Sequence, residues 1–284
     1  MILVTAATGQ VGRAAARALL ASGAGVRALV RDPAKATGLD GAELVQGTFE
    51  DEDALARALR GVTTLFLAGR DSPAYVEQIG RVADAAEHAG VGHIVALSAI
   101  GAAEASPVAL FRDHWEVEQR VRRGPVGWTF LRPHLYLQNL LRAAEAVREH
   151  GRLTAPLGTL ELPLVDTGDV GAAAAVALAS PGDHAGRTYL LTGPAAESYA
   201  AVAAALTRLT GRAVAYCAIA PEAYLATLLA DGVPEWRAQD LASIASAYTP
   251  GDNVVTPALP ALLGRPARSL ESFLDANRGV FLEH

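Results

Sequence analysis

The chain is predicted to fold as a doubly wound parallel α/β sheet with a smaller, mostly helical C-terminal lobe. Six short apolar, β-rich runs recur between Ile2 and Leu131, each separated from the next by a stretch of helical periodicity. The opening residues, MILVTAATGQVG, read as a buried strand, a turn of small residues and the start of a helix. At 284 residues, half of them apolar, the chain is long enough to bury a full core. Together these describe a Rossmann-like nucleotide-binding architecture.

Ile2 to Thr5 is the first strand, Ala6 to Gly12 the turn, and Arg13 to Ser22 a helix closed by Gly23. The small residues Ala6, Gly9 and Gly12 are spaced three and three, with Thr5 and Thr8 interleaved. Glycine at 9 lets the backbone approach a pyrophosphate, and glycine at 12 lets the helix pack tightly on the strand. The helix N-terminus offers free N–H groups and a positive dipole end. Thr8, Gly9, Gln10 and Val11 are therefore candidate cofactor contacts. The turn is equally the shape of a plain strand-to-helix junction with no ligand.

Val26 to Val30 is the second strand, followed by Arg31-Asp32-Pro33. The end of this strand lies beside the adenosine ribose, where a carboxylate accepts from a 2′-hydroxyl and an arginine pairs with a 2′-phosphate. Arg31 holds that position and Asp32 falls one residue late, so NADP(H) is favoured over NAD(H). Lys35 adds charge nearby, and the alternative is a solvated surface arginine. Ala42 to Gln46 is the third strand, with Thr48 and Phe49 at the adenine edge, and a helix runs from Asp51 to Leu59. Thr64 to Leu67 is the fourth strand, and the small residues Ala68 and Gly69 suit a backbone passing the cofactor. A helix from Tyr75 to Ala89 leads to the fifth strand, His93 to Ser98, with Ser98 pointing into the crevice. The helix Phe111 to Arg123 precedes the sixth strand, Trp128 to Leu131, and Pro133 just after it is assigned to the same cofactor site.

Beyond Gly151 the rhythm loosens. Arg152 to Leu164 reads as hairpin-like, an alanine-rich helix ends at Ser180, and Thr188 to Thr192 is a strand. The rest is expected to be mostly helical, Ser198 to Leu209 and then Pro221 to Tyr248, with short extended links. A dinucleotide-binding domain is expected over 1–151, with a cap region interleaved with it over 152–281. Residues 282–284 look like the remnant of a purification tag.

Several functions are disfavoured. No apolar run reaches the roughly 18 residues that span a bilayer, and the first strand leaves no room for a signal peptide, so a cytoplasmic location is expected. Cys217 is the single cysteine, which rules out an internal disulfide and a thiolate-rich metal site. The seven histidines show no metal-ligand spacing, and the net charge of −6 argues against a nucleic-acid surface. Lys35 is the only lysine among 24 basic residues.

By Arg132 a resemblance can be named. The segments TAATGQVG, VRDPAKA, HIVALSAIGA, HWEVE, WTFLRPHLYLQNLL, VDTGDVGAAAAVAL, GRTYLLTGP, LTGRAVAY and LLGRPARSLESF, in this order, resemble the NmrA-like group of atypical short-chain dehydrogenases, and within it the NAD(P)H:quinone oxidoreductase type. The resemblance implies an NADP(H)-type dinucleotide in the crevice and a small substrate pocket under the C-terminal part. Ala6 departs from the group's pattern, where glycine is usual. The positions of the ordinary family's Tyr-x-x-x-Lys dyad fall on Leu110 and His114, so that dyad is absent. His114 with Glu118 matches the H-x-x-x-E of the quinone-reductase-like members, which makes His114 the candidate catalytic residue. Its bland alternative is a helix histidine paired with Glu118. His134, Tyr136 and Asn139 are placed at the substrate pocket, Tyr136 alternatively as a packing residue.

Chemistry narrows the reaction. Hydride added to a quinone leaves a phenolate that water can protonate, whereas a simple ketone leaves a strongly basic alkoxide that needs a tuned acid. An NADPH-dependent oxidoreductase acting on a quinone or enone is the expected function. The competing expectation is a non-catalytic NADP(H)-binding redox sensor, also found among NmrA-like proteins. Its partner would be a regulated protein, and a homodimer is possible for either, with the alanine-rich helix as core or dimer face.

Overall fold

The computed structural model describes residues 1–249 and 251–282. Glu283 and His284, two of the three residues read as a tag remnant, lie outside that set. The first strand, β1 (Ile2–Val4), is apolar and buried along its whole length. It is followed by α1 (Gln10–Ala21), β2 (Val26–Val30), β3 (Glu43–Gln46), α2 (Glu52–Leu59), β4 (Thr64–Leu67), α3 (Tyr75–His88), β5 (His93–Leu97), α4 (Ala109–Arg123) and β6 (Gly127–Pro133). A 3₁₀ helix (Leu137–Ala143) leads to α5 (Ala144–His150), β7 (Arg152–Ala155), β8 (Glu161–Leu162), α6 (Thr167–Ala179), α7 (Pro181–His184) and β9 (Arg187–Leu191). Last come β10 (Glu197–Ser198), α8 (Tyr199–Thr210), β11 (Ala215–Ala218), α9 (Pro221–Ala230), α10 (Glu235–Ser243), α11 (Ala258–Leu263), α12 (Leu270–Ala276) and α13 (Arg278–Leu282).

Seven parallel strands form the main sheet in the order β3-β2-β1-β4-β5-β6-β9. The chain winds outward in both directions from β1, which pairs with β2 on one side and β4 on the other. The crevice at the carboxyl ends of β1 and β4 is therefore the topological switch point, where open α/β sheets bind ligands. One face of the sheet packs on α1 and α6 through Val4, Ala15, Phe66, Val95 and Ala174. The other face buries Leu3, Leu65, Ile94 and Phe130 under α2, α3 and α4. The lobe has a core of its own around Leu153, Leu162, Leu206 and Phe273.

Helix α6 is buried almost all round, so its alanines serve as core. It lies so close to α1 that a Cβ on Gly171 would sit 2.4 Å from the Ala14 methyl. With β9, α6 adds residues from beyond Gly151 to the main sheet and the helical layer on it.

Local departures from the expected elements have physical reasons. Helix α1 starts at Gln10, three residues before the expected Arg13, because Gly9 already serves as its N-cap. Arg152 to Leu164 is no hairpin: β7 pairs with β11 in parallel, and β8 pairs with β10. Pro156 and Gly158 redirect the chain between them, and both partners come from later sequence. The mostly helical stretch expected over Pro221 to Tyr248 resolves into α9, α10 and a 3₁₀ turn, with Pro234 in the gap where it cannot donate a helical hydrogen bond. No helix among the described residues is long and apolar enough to cross a membrane.

Candidate active site

The turn between β1 and α1 is closed by a hydrogen bond from Gly9 N to Ala6 O at 2.9 Å. Ala6 sits at φ +48°, the only non-glycine residue with a positive φ among the described residues. It is the position where the resemblance expects glycine. Gly12 is held to its identity by the same carbonyl, since a Cβ there would lie 2.4 Å from Ala6 O. Helix α1 has neither a capping side chain nor an acidic residue in its first turn. The N–H groups of Gln10, Val11 and Gly12 therefore have no partner among the described residues. By contrast α2, α6 and α8 carry Asp51, Asp166 and Ser198 as caps. An uncapped helix N-terminus at the switch point fits the pyrophosphate of a dinucleotide. Val11 has only its backbone to offer there, because its side chain is core.

At the carboxyl end of β2, Arg31 follows the strand directly, is exposed, and makes no ion pair with the described residues. Asp32 is committed elsewhere: its carboxylate accepts from Ala34 N at 3.1 Å and lies 3.9 Å from Lys35 Nζ. Arg31 shares a surface groove of about 780 Å³ with Gln46, Gly47 and Thr48. Arg13, not singled out from sequence, donates to Thr8 O at 2.9 Å, Lys35 O at 3.2 Å and Thr37 Oγ1 at 3.1 Å. It ties the phosphate turn to the loop that follows Arg31. Phe49 lies 3.5 Å from where a Gly69 Cβ would be, so the exits of β3 and β4 meet. Ala68 is sealed, with its N–H donated to Thr5 Oγ1 at 2.8 Å, which leaves half-buried Gly69 as the more accessible backbone of that pair. Pro133 is buried at the end of β6 and accepts from Ile100 N at 3.0 Å.

Ser98 does not point into the crevice. Its hydroxyl donates to Glu118 Oε1 at 2.6 Å, and Glu118 is 1% exposed. Arg132 closes on the same carboxylate with two bonds of 2.7 Å, and Arg122 approaches at 3.3 Å. A buried carboxylate needs such partners, so Glu118 belongs to Arg132 and Ser98, and the alternative reading of His114, a pairing with Glu118, is not made.

His114 instead turns to Tyr75, whose hydroxyl lies 3.1 Å from Nδ1. Burial lowers the His114 pKa and raises that of Tyr75 and of Tyr136. The Asp71 carboxylate acts on all three, so they belong to one low-dielectric cluster. Asp71, two residues past Gly69, is paired with Arg237 of α10 at 3.0 Å. On the same helix, Asp240 accepts from Ala109 N and Leu110 N at 3.1 and 3.4 Å, capping α4 from outside. Burial raises the pKa of both Asp113 and Asp240; repulsion from Asp240 adds to it at Asp113, while at Asp240 the hydrogen bonds from Leu110 N and Ala109 N offset part of it.

His134 is 2% exposed and acts as a fastener, not as a free pocket wall. Its Nδ1 accepts from Leu135 N at 2.7 Å, which leaves Nε2–H to donate to Asn253 Oδ1 at 3.2 Å. The ring stacks on Tyr248, and burial pushes its pKa down to about 4. Asn139 is half-buried on the 3₁₀ helix, where neighbouring Gln138 makes the bonds, to Asp166 and Thr167 N. Sequence reasoning missed Asp71, Tyr75, Arg237 and Asp240, which no local motif marks. A second groove of about 850 Å³ opens at the opposite, amino ends of the strands, beside Thr64 and His93.

The geometry has counterparts among known proteins. Over 285 residues the chain is 38% identical to an NAD(P)H azoreductase of Xenophilus azovorans, covering 99% of each chain. It is 39% identical over 283 residues to the (4-alkanoyl-5-oxo-2,5-dihydrofuran-3-yl)methyl phosphate reductase of Streptomyces griseus, again with 99% of each covered. The solved structure of the NADPH-dependent quinone oxidoreductase of Escherichia coli in complex with NADPH superposes with a TM-score of 0.89 at 31% identity, over 98% of this chain and 99% of that one. The model of the NmrA-like family matches residues 1–260, and the chain belongs to that family.

Proposed function

We propose that the protein is an NADPH-dependent oxidoreductase that delivers hydride to a small conjugated acceptor, a quinone or an enone. The uncapped N-terminus of α1 and Gly9 would hold the pyrophosphate, and Arg31 the 2′-phosphate. Phe49 and Gly69 would flank the adenosine side. Bound there, NADPH supplies the hydride. His114 and Tyr136 would face the acceptor, with Asp71 and Arg237 closing the crevice from above.

One observation carries the choice of acceptor. His114 is kept uncharged by burial, and Leu110 stands one helical turn before it. The inner crevice therefore has no imidazolium and no Tyr–Lys dyad to hand a proton to an alkoxide. An acceptor whose reduced form is a weak base, such as a hydroquinone anion or an enolate, needs only orientation and a hydrogen bond. The relatives named as a quinone oxidoreductase and as a reductase of a ring bearing a conjugated C=C support this reading.

The test is NADPH oxidation measured against quinones, enones, azo compounds and simple ketones, beside a binding titration with NADP⁺. Turnover of the conjugated acceptors with ketones inert is expected. His114→Ala should lower that turnover about tenfold, the low end of acid–base and positioning effects. Tight NADP⁺ binding with no turnover on any acceptor would replace the enzyme by the sensor.

A further inference from the structure

The Tyr75–His114 contact assigns a role to a residue on a different helix from the candidate catalytic group. We infer that Tyr75 is a positioning residue for the reaction: its hydroxyl donates to His114 Nδ1, fixes the ring proton on Nε2, and leaves that N–H for the acceptor. The inference rests on the placement of His114 under the proposed function.

The direction of the bond follows from counting partners. Tyr75 is 3% exposed, and its hydroxyl has no other hydrogen-bond partner among the described residues. If Nδ1–H were the donor, the phenol proton would be left in the interior without an acceptor, which costs more than the bond returns. The phenol is not available as an anion, because burial and the field of Asp71 hold its proton in place. The imidazole is not available as a cation, because burial outweighs the pull of Asp71 and Glu118, and Arg132 opposes it further. Two neutral groups with one shared proton have a single satisfied arrangement, Tyr O–H to Nδ1 with Nε2–H free.

His114 Nε2 has no hydrogen-bond partner among the described residues. It is also not one of the atoms sealed from solvent without a partner, which are Arg27 Nε and Thr64 Oγ1. The ring edge is steadied by an edge-on contact with the phenol at 5.0 Å between centroids. A neutral imidazole held in this way polarises a carbonyl as a hydrogen-bond donor. When hydride has been delivered to a conjugated acceptor, the negative charge gathers on its oxygen, and Nε2–H stabilises that oxygen without itself losing a proton. The proton that completes the reduced product comes from water, so atoms and charge balance with no acid on the protein.

Histidine ¹⁵N NMR of the wild-type protein reads the tautomer directly, with His114→Gln identifying the resonance. The expected result is a single Nε2–H tautomer in wild type and a mixed or inverted population in Tyr75→Phe. Tyr75→Phe should lower kcat about fivefold, the worth of one neutral hydrogen bond, with KM and NADPH affinity unchanged. An Nδ1–H tautomer in wild type overturns the inference without using any variant. A full loss of turnover in His114→Gln with none in Tyr75→Phe overturns Tyr75 alone. Unchanged turnover in His114→Gln overturns the role of His114, and Tyr75 falls with it.

Discussion

The two ends of the crevice handle polarity in opposite ways. At the end of β2, Arg31 and Lys35 stand in water near a helix N-terminus with free N–H groups, and half-buried Arg13 ties the two together. At the inner end Tyr75, His114 and His134 are buried and Tyr136 is half-buried, and burial favours the uncharged form of each. Exposed charge costs the apo protein almost nothing and is strengthened only when an anion arrives. Buried polarity must be satisfied in advance, and Tyr75, His114 and His134 each have a hydrogen-bond partner. Under the proposed function, affinity would be placed where water screens it, and chemistry where water is excluded.

The largest expected effect lies beneath the inner end. Glu118→Ala strands Arg132 beside Ser98 and should lower the unfolding free energy by about 3–5 kcal/mol, the cost of breaking a buried pair from one side. Denaturant melts measure it, and a loss below about 1 kcal/mol would mean that the pair is hydrated and the contrast between the two ends is weaker than drawn.

Next is the pH response of His134, whose pKa falls from 6.5 to about 4 on folding. Between those values the unfolded chain binds more protons than the folded one, so stability is complete above pH 6.5 and is lost as pH falls through 4. The loss attributable to this group is about 3 kcal/mol, at roughly 1.4 kcal/mol per pH unit. His134→Gln should flatten the stability curve between pH 7 and 4.5 while lowering its value at 7. An unchanged slope would assign the acid loss to other groups.

The outer end responds in binding. Arg31→Ala should weaken NADPH by about 1.5–3 kcal/mol, ten- to a hundredfold, and leave NADH nearly unchanged. Equal weakening of both cofactors would reduce Arg31 to general surface charge. The smallest effect is at the turn itself. Ala6→Gly relieves about 1–2 kcal/mol of left-handed strain and returns about 0.4–1 kcal/mol through the freer unfolded chain. A net gain of about 0.5 kcal/mol should follow, with both cofactors affected alike, and a destabilised variant would show that Ala6 is not strained.

The contrast also explains what could be read before the structure was known. The strands, the switch point, the phosphate turn and Arg31 depend on residues close in sequence, because a strand–turn–helix unit carries its own periodicity and turn chemistry. Even there the register slipped where a cap replaced a turn residue, as at Gly9. The inner end is assembled from Asp71, Tyr75, His114, Tyr136 and Arg237, brought together only by sheet order and by the path of α10. The helical i,i+4 rule puts His114 and Glu118 on one face but is silent about Arg132 and Ser98, which take the carboxylate away. Ser98 was misread for the same reason: its strand position is local, but its hydrogen-bond partner is not.

Asp240 caps α4 across a sequence separation of 131 residues. The helix that presents His114 thus begins on a carboxylate borrowed from the far lobe. That loan makes the lobe a poor candidate for exchange between related proteins. A chimaera that imports a different lobe must supply a carboxylate at the same place, or give α4 a cap of its own. Otherwise the helix frays from the end nearest Leu110, and the imidazole one turn later loses its footing.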